Sequence, residues 1–227
     1  MLNSDHRSVV PICGLAVLTL LPLTTLGCSK SESERANLTA TVIQTSRGGD
    51  KLAEIAALEF TDSSDTDRPV IALDPNSEYQ TILGFGGSFT ESTAYVLNQL
   101  SAEKREEVIE AYFGPSGADY TLTRTHINSS DFSLGNYAYA EIPGDTQLEH
   151  FTIEEDLDDI VPLIQDAKAV SDFGFRIIAS PWTAPPWMKD NNAWNDGELK
   201  PELYPTWALY FSKYIRAYEE QGIDIWG

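Results

Sequence analysis

FRIIASPWTAPPWM, residues 175–188, is the stretch of sequence that decides the fold. Its first four residues have the pattern of a short buried strand, and the three prolines that follow exclude a regular helix or a central strand. A rigid loop that carries aromatic faces at a strand end suits a sugar site, because the apolar C–H faces of pyranose rings stack on indole. The alternative interpretation is a hydrophobic plug formed by Trp182 and Trp187.

Upstream of this stretch, strand and helix patterns alternate. Strands are predicted over 81–85 and 120–127, and a helix is predicted between them over 101–113. Ser101 has the side chain to cap that helix, and Gly114, followed by proline, ends it.

The alternation continues through the second half of the chain. A helical pattern follows Thr152, and Pro162 within it favours a fresh start near Asp159. Beyond a strand over 176–179, apolar residues at helical spacing predict an amphipathic helix over 206–221, and a last strand is predicted over 223–226.

This order of elements predicts an α/β fold of parallel strands with crossover helices. The aromatic segments follow strands, where a (β/α)₈ barrel has its active site. Residues 76–227 supply about three and a half βα units, too few to close eight strands, so we expect an incomplete (β/α)₈ TIM barrel from a longer enzyme. Residues 38–75 hold short β-type runs between turns, which predict a small β-layer in front of the barrel.

The N-terminus has the pattern of a targeting segment. Residues 1–28 contain a basic start and an apolar run, and they end in TLGC. This ending resembles a bacterial lipobox, in which Cys28 becomes the lipidated first residue and attaches the protein to a membrane. Thr25 departs from the aliphatic residue usual there, so a plain signal peptide or a single anchor remains an alternative. Residues 29–37 are polar and predict a tether. In each case we expect a secreted, periplasmic or outer-surface protein.

Composition limits the partners and cofactors. The formal net charge is −20, which repels nucleic acid and anionic membranes and fits a neutral substrate. The two cysteines, Cys13 and Cys28, both lie in the presumed targeting segment, so we expect no internal disulfide and no cysteine metal site. The three histidines are widely separated. The sequence therefore predicts no metal and no cofactor.

Segment 122–141 carries the strongest candidate residues. Arg124 lies within a strand pattern, and a strand arginine that points into a barrel needs a carboxylate partner. Asp131 follows the strand end. In one interpretation Asp131 accepts hydrogen bonds from sugar hydroxyls and Arg124 orients a catalytic carboxylate. In the other, an Arg124–Asp131 salt bridge holds the loop. His126 favours a structural, hydrogen-bonded role.

Two further loops follow predicted strands. GFGGSFTES, residues 84–92, allows tight backbone turns, but it lacks the lysine of a phosphate loop. Glu91 within it suits a structural hydrogen-bonding role better than a functional one. The polar loop 191–200 carries Trp194, which either stacks on a second sugar or an aglycone or lies on a loop without function. Trp187 and Trp194 are the candidates for the rim of the substrate site.

Four segments together resemble glycoside hydrolase family 30, the glucosylceramidase-like group. They are GFGGSFTES (84–92), TRTHINSSDFSLGNYAY (123–139), ASPWTAPPWMK (179–189) and YPTWALYFSKYIRAYEEQGIDIWG (204–227). The resemblance covers about residues 73–227, with the segments in the family's order. It implies a (β/α)₈ barrel with a β-sandwich built from both chain ends, to which residues 38–75 would contribute strands.

The resemblance also implies the chemistry. The family cleaves β-glycosides with retention, using two glutamates whose carboxyl groups lie about 5–5.5 Å apart. Its acid/base glutamate stands in an Asn-Glu-Pro motif at the end of the fourth strand, which we expect beyond Gly227, and its nucleophile lies on a later strand. No catalytic residue is therefore assigned within this chain, which we expect to be inactive alone. Glu91, Glu141 and Glu198 are not substitutes.

Three substrate-binding positions carry over from the family. Asp131 matches the aspartate that binds glycone hydroxyls, Trp182 matches the tryptophan of the same subsite, and Arg124 matches the arginine near the nucleophile. Ser130 departs from the cysteine of many relatives. The implied substrate is a carbohydrate or glycolipid, either a glucosylceramide-like lipid or a β-1,6-glucan. The alternative is a non-catalytic carbohydrate-binding protein.

Overall fold

The computed structural model describes residues 39–59, 69, 71, 72 and 74–227. The described residues fall into two compact units, divided between Asn76 and Ser77. The predicted targeting segment, the lipidation site at Cys28 and the tether over 29–37 lie outside the described residues. Within the described part, no helix has the length and apolar character needed to cross a membrane.

The first unit contains an antiparallel strand pair. Strand β1 spans Thr39–Gln44 and strand β2 spans Ala53–Glu59. A turn closed by a hydrogen bond from Ser46 N to Asp50 O, 2.9 Å long, lies between them. The β-type run that the sequence predicts over 38–44 thus forms β1, and the run predicted over 57–60 begins four residues earlier, as β2. Whether the pair belongs to a β-sandwich stays a prediction.

The second unit alternates helices and strands. Its elements are helix α1 (Glu91–Asn98), helix α2 (Ala102–Phe113), strand β3 (Leu122–Ile127), helix α3 (Ile160–Val170), strand β4 (Arg176–Pro181) and helix α4 (Tyr204–Glu220). Single 3₁₀ turns lie at Glu154–Asp156, Pro186–Met188 and Pro201–Leu203.

The sheet of the second unit has parallel strands in chain order. β3 pairs with β4 in parallel register from Leu122 opposite Arg176 to Ile127 opposite Pro181. On the other edge of β3, Phe89 N donates to Arg124 O at 2.8 Å. On the other edge of β4, Ala179 N donates to Gly227 O at 2.8 Å. Four extended segments therefore lie side by side, which is the arrangement of neighbouring strands in a (β/α)₈ barrel.

The predicted strand over 81–85 is wrong. Pairing with β3 instead runs from Phe85, whose carbonyl accepts from Leu122 N at 3.2 Å, to Phe89. The shift has a steric cause at Gly86, where a Cβ would lie 1.9 Å from Leu122 O. Only glycine lets the two backbones approach so closely. The segment over 223–226 is extended and bonded to β4, but it does not form a regular ladder.

Three of the four helices of the second unit, α1, α2 and α3, begin at a side-chain cap. Ser101 Oγ accepts from Lys104 N at 3.3 Å, which confirms the predicted cap of α2. The fresh start near Asp159 is also confirmed, because the Asp159 carboxylate accepts from Ile160 N and α3 begins there. Pro162 then falls in the first turn, where its missing N–H leaves no helical bond unmade. Thr152 Oγ1 accepts from Glu154 N at 3.1 Å, before the start of α3.

Aromatic side chains fill the core of the second unit. Phe89, Phe113 and Phe175 form one cluster, with ring centroids 5.1–5.6 Å apart. A second cluster lies on the inner face of α4, where Tyr210 and Tyr214 are fully buried. Their i, i+4 spacing is the one predicted for the apolar face of this helix. Tyr210 of this second cluster donates to Asn128, which directly follows β3.

Candidate functional site

A cleft of about 400 Å³ opens at the carboxyl ends of β3 and β4. We call it the strand-end cleft. It brings together three of the sequence-predicted residues, Asp131, Trp182 and Trp194, and its remaining lining is polar. The lining includes Ser130, Asn136 and Asp196. An aromatic wall beside hydrogen-bonding groups is suited to a polyhydroxylated ligand with apolar ring faces.

Asp131 lies on a tight turn directly after β3. Ser130 Oγ accepts from Phe132 N at 3.2 Å, and Ser133 Oγ accepts from Ser130 N at 3.0 Å. These bonds fix the backbone on both sides of Asp131, while its side chain is exposed to the cleft. The turn is further held by Glu91, whose Oε2 accepts from Leu134 N at 2.9 Å. Asp131 is thus a carboxylate on a rigid support.

Trp182 follows β4 and is 37% exposed. The guanidinium of Arg124 lies over its ring, 4.6 Å from the ring centroid, and Arg124 Nε donates to Ser180 Oγ at 3.1 Å. Among the described residues, no ion pair joins Arg124 to Asp131. The salt-bridge interpretation of these two residues is therefore wrong, because Arg124 is exposed and stacks on the neighbouring strand's tryptophan instead.

The two rim candidates differ in exposure. Trp194 is half-buried and lines the strand-end cleft. Trp187 is only 8% exposed, and its indole N–H donates to Ala140 O at 2.9 Å. The prediction of an open rim position for Trp187 needs correction, since the 3₁₀ turn that Pro186 begins directs this side chain into the core. Trp187 and Trp194 both line a second depression, of about 300 Å³.

A buried hydrogen-bond network supports the cleft from below. Its centre is Asn128, which is fully buried and has a φ of 65°, in the left-handed region. Its Oδ1 accepts from Tyr210 Oη, and its Nδ2 donates to Thr183 O at 2.9 Å. Asn128 thereby links the start of the Asp131 turn to the loop after Trp182. The sequence reasoning did not assign Asn128 a role.

His126 has the structural role that the sequence favoured. It is buried, and its Nδ1 lies 2.7 Å from Asn128 O. A carbonyl oxygen only accepts, so Nδ1 carries the proton and donates. Burial lowers the pKa of His126 below its ordinary value, which keeps the ring neutral and its Nε2 free to accept from Glu91 N at 3.4 Å.

A second buried group, Asp156, was missed by the sequence reasoning. Its carboxylate is fully buried and accepts from three tyrosine hydroxyls: Tyr139 and Tyr218, each at 2.6 Å, and Tyr137 at 3.1 Å. Burial raises its pKa to about 6. The cluster joins the loop after the Asp131 turn to α4, and in the sequence it is marked only by tyrosines scattered over two distant segments.

The described residues contain no cluster of three or more histidine, cysteine, aspartate or glutamate side chains placed to hold a metal ion. Of the glutamates that the sequence left aside, Glu141 accepts from Ala138 N at 3.4 Å, and the backbone N of Glu198 donates to Asp190 Oδ1 at 2.8 Å. Glu91 holds the Asp131 turn. This contact agrees with the structural role that the sequence favoured for Glu91.

Parallel strands, crossover helices and an aromatic cleft at the strand ends together define an incomplete (β/α)₈ barrel with a candidate carbohydrate site. Residues 82–227 match the family model described as the glycosyl hydrolase family 30 TIM-barrel domain. The chain therefore belongs to glycosyl hydrolase family 30.

Relatives of known name agree with this membership. The chain is 33% identical over 235 residues to lysosomal acid glucosylceramidase of Mus musculus. This alignment covers 97% of this chain and 42% of the relative. It is 31% identical over 233 residues to endo-1,6-beta-D-glucanase neg1 of Aspergillus fumigatus, with 93% and 47% covered. The chain thus spans less than half the length of these curated relatives.

Solved structures show the same fold. SrfJ from Salmonella typhimurium superposes with a TM-score of 0.68 at 36% identity, over 77% of this chain and 39% of that chain. The endo-beta1,6-glucanase BT3312 superposes with a TM-score of 0.65 at 33% identity, over 78% and 38%. The prediction of a partial family 30 barrel is confirmed.

Proposed function

We propose that residues 77–227 form the glycone-binding part of a retaining β-glycosidase that acts on β-glucosides. The observation that carries this proposal is the strand-end cleft, in which the Asp131 carboxylate and the Trp182 indole line one space. Relatives named as a glucosylceramidase and an endo-1,6-glucanase support a β-glucoside as the substrate class, either a glucosylceramide-like lipid or a β-1,6-glucan.

The chemistry of the cleft fits a neutral sugar. An ionised carboxylate accepts two hydrogen bonds from neighbouring hydroxyls, and these charge-assisted bonds are stronger than neutral ones. Trp182 is partly exposed and lines the cleft, so its indole is available to the apolar face of a pyranose ring. A neutral glucoside is also not repelled by a chain whose net charge is −20.

We assign substrate binding, and not bond cleavage, to these 227 residues. The Asn-Glu-Pro motif of the family does not occur in the sequence. Glu91 makes a structural contact with the Asp131 turn, so it is not available as a catalytic acid. The chain alone is proposed to bind β-glucosides without hydrolysing them.

The proposed place of action is outside the cytoplasm, with attachment to a membrane through lipidated Cys28. The TLGC ending of the apolar N-terminal run supports this. Metabolic labelling with a radioactive fatty acid in a bacterial host tests it. Label is expected on the wild-type protein and not on Cys28→Ala, and an unlabelled wild-type protein would refute the lipid anchor.

Tryptophan fluorescence tests the sugar site. Methyl β-glucoside and a β-1,6-linked glucose disaccharide are expected to change the emission of the 227-residue chain, and the change is expected to disappear in Trp182→Phe. Trp226→Phe is the matched control, because Trp226 is also exposed and also lies beneath an arginine, Arg176, at 5.0 Å. Equal loss of signal in both variants, or no response in the wild type, would refute the site.

An aryl β-glucoside hydrolysis assay tests the assignment of binding without cleavage. We expect no turnover above the uncatalysed rate by the purified 227-residue chain. Turnover that Asp131→Ala abolishes would show that the chain contains its own catalytic groups, and the assignment would then be wrong.

A further inference from the structure

Lys189 is a buried lysine that the proposed function does not use. Its residue is 4% exposed, although lysine is rarely buried without a charged partner. Its Nζ donates to three neutral oxygens: Thr183 Oγ1 at 2.9 Å, Trp194 O at 2.8 Å and Asp196 O at 3.0 Å. Each of the three ammonium hydrogens therefore has an acceptor.

The three acceptors lie on two different walls of the strand-end cleft. Thr183 directly follows Trp182, whereas Trp194 and Asp196 belong to the loop opposite. The Thr183 hydroxyl, in turn, donates to Trp194 O at 3.2 Å. Lys189 and Thr183 thus form a joint between the wall that carries Trp182 and the wall that carries Trp194.

The opposite loop is closed at its base by its own backbone. Lys189 pairs with Leu199 across an antiparallel bridge, and Asp190 N donates to Glu198 O at 3.0 Å. Beyond these two contacts at the base of the loop, the Lys189 side chain extends into the loop, where its Nζ donates to the carbonyls of Trp194 and Asp196. Burial lowers the pKa of Lys189, while the nearby carboxylates of Asp196 and Asp190 oppose that change.

We propose that Lys189 is a positioning residue that holds Trp194 and Asp196 at a fixed separation from Trp182. It thereby determines the affinity for a second sugar unit or the group attached to the first, while the first sugar is bound by Asp131 and Trp182. This inference rests on the proposed function, because it concerns the same cleft. It assigns the Trp194 loop to the part of a β-glucoside beyond the glycone.

The variant Lys189→Met tests the proposal, because methionine approximates the lysine stem and lacks the donors. Lys200→Met is the matched control, because Lys200 is half-buried and its Nζ donates to a backbone carbonyl, Trp187 O at 3.0 Å, but Lys200 does not line the strand-end cleft. Calorimetry of the full 227-residue chain compares methyl β-glucoside with the β-1,6-linked glucose disaccharide.

In Lys189→Met we expect disaccharide affinity to fall at least about tenfold and methyl β-glucoside affinity to change by less than about twofold. Lys200→Met is expected to alter neither. A uniform loss of affinity for both sugars, or no loss for either, would overturn the proposal. A lysine that only stabilises the fold would not lower the affinity for the disaccharide more than the affinity for methyl β-glucoside.

Hydrogen exchange gives a readout that needs no sugar. The amides of residues 193–198 are expected to exchange faster in Lys189→Met than in the wild type or in Lys200→Met. Unchanged exchange would overturn the role of Lys189 as a joint even if sugar binds. Exchange could be faster in Lys189→Met although the wild type binds neither sugar. In that case Lys189 does connect the two walls, but the proposed function and the specificity that depends on it are refuted.

Thr183→Val is the second variant, for the case in which Lys189→Met does not fold. It removes the hydroxyl that accepts from Lys189 and donates to Trp194 O, and it keeps the β-branched shape. The same selective loss of disaccharide affinity is expected. Wild-type selectivity in Thr183→Val would contradict the proposed joint.

Discussion

The guanidinium carbon of Arg124 lies 4.6 Å from the centroid of the Trp182 ring. Arg124 belongs to β3 and Trp182 follows β4, so this contact joins the two strands at their carboxyl ends. A cation over an indole face contributes about 0.5–1 kcal/mol at an exposed site. The contact therefore fixes the orientation of Trp182 more than it stabilises the fold.

The first prediction concerns Arg124→Met. The substitution removes the stacked guanidinium and its bond to Ser180, so the Trp182 ring gains mobility and binds a sugar less well. We expect affinity for methyl β-glucoside to fall by about three- to tenfold, and the melting temperature to shift by less than about 3 °C. Calorimetry and circular dichroism measure the two quantities. Arg176→Met is the control, because it disturbs the equivalent pair with Trp226 away from the cleft.

The second prediction concerns the pH dependence of stability. The pKa of Asp156 is raised by burial from 3.8 to about 6, so the folded state binds a proton that the unfolded state releases. The stability from this group is fully present below pH 3.8 and is lost as the pH rises through about 6. The loss is on the order of 3 kcal/mol.

The variant Asp156→Asn cannot titrate, so its unfolding free energy is expected to depend less on pH between 4 and 6. A residual decline up to about pH 7 is expected from Asp159, whose pKa burial raises to about 7. Urea unfolding at four pH values measures the slope. Asp158→Asn, which changes an exposed neighbour, is the control. An unchanged slope in Asp156→Asn would show that this carboxyl does not titrate as the contacts require.

The third prediction concerns the close approach of two backbones. In Gly86→Ala the new Cβ would lie 1.9 Å from Leu122 O, so one strand must move. We expect a loss of about 2 kcal/mol or more in the free energy of unfolding. In Gly135→Ala the new Cβ meets nothing within 4 Å, and a change within about 0.5 kcal/mol is expected. Urea unfolding of both variants measures the difference, and equal stabilities would contradict the steric account.

The sequence was sufficient to predict those elements whose local residue pattern agrees with the topology of the fold. The cap at Ser101, the fresh helix start at Asp159 and the amphipathic face of α4 follow from residue chemistry alone, and the structure contains all three. Parallel pairing followed from the alternation of elements. This parallel pairing predicted that Asp131 and Trp182 lie at the same edge of the sheet, because the carboxyl ends of parallel strands meet there.

The sequence was insufficient to predict features that depend on contacts between segments distant along the chain. The strand near Gly86 is displaced because only the position of Leu122 reveals how closely the backbones must approach. Trp187 follows a proline, as Trp182 does, yet its ring is buried because the turn after Pro185 directs it inward. The short helix α1, capped by Thr90, also escaped prediction. Asp156 could not be identified as buried, because its tyrosine partners come from two distant segments.

The most direct test of the central claim is a double-mutant cycle on Asp131 and Trp182, measured by calorimetry with a β-1,6-linked glucose disaccharide. If both side chains contact one sugar ring, each of Asp131→Ala and Trp182→Ala lowers affinity by at least about tenfold, and the double variant loses less than the sum of the two free energies by about 0.5 kcal/mol or more. A wild-type chain that does not bind the disaccharide, or two single variants that bind it as tightly as the wild type, would contradict the account.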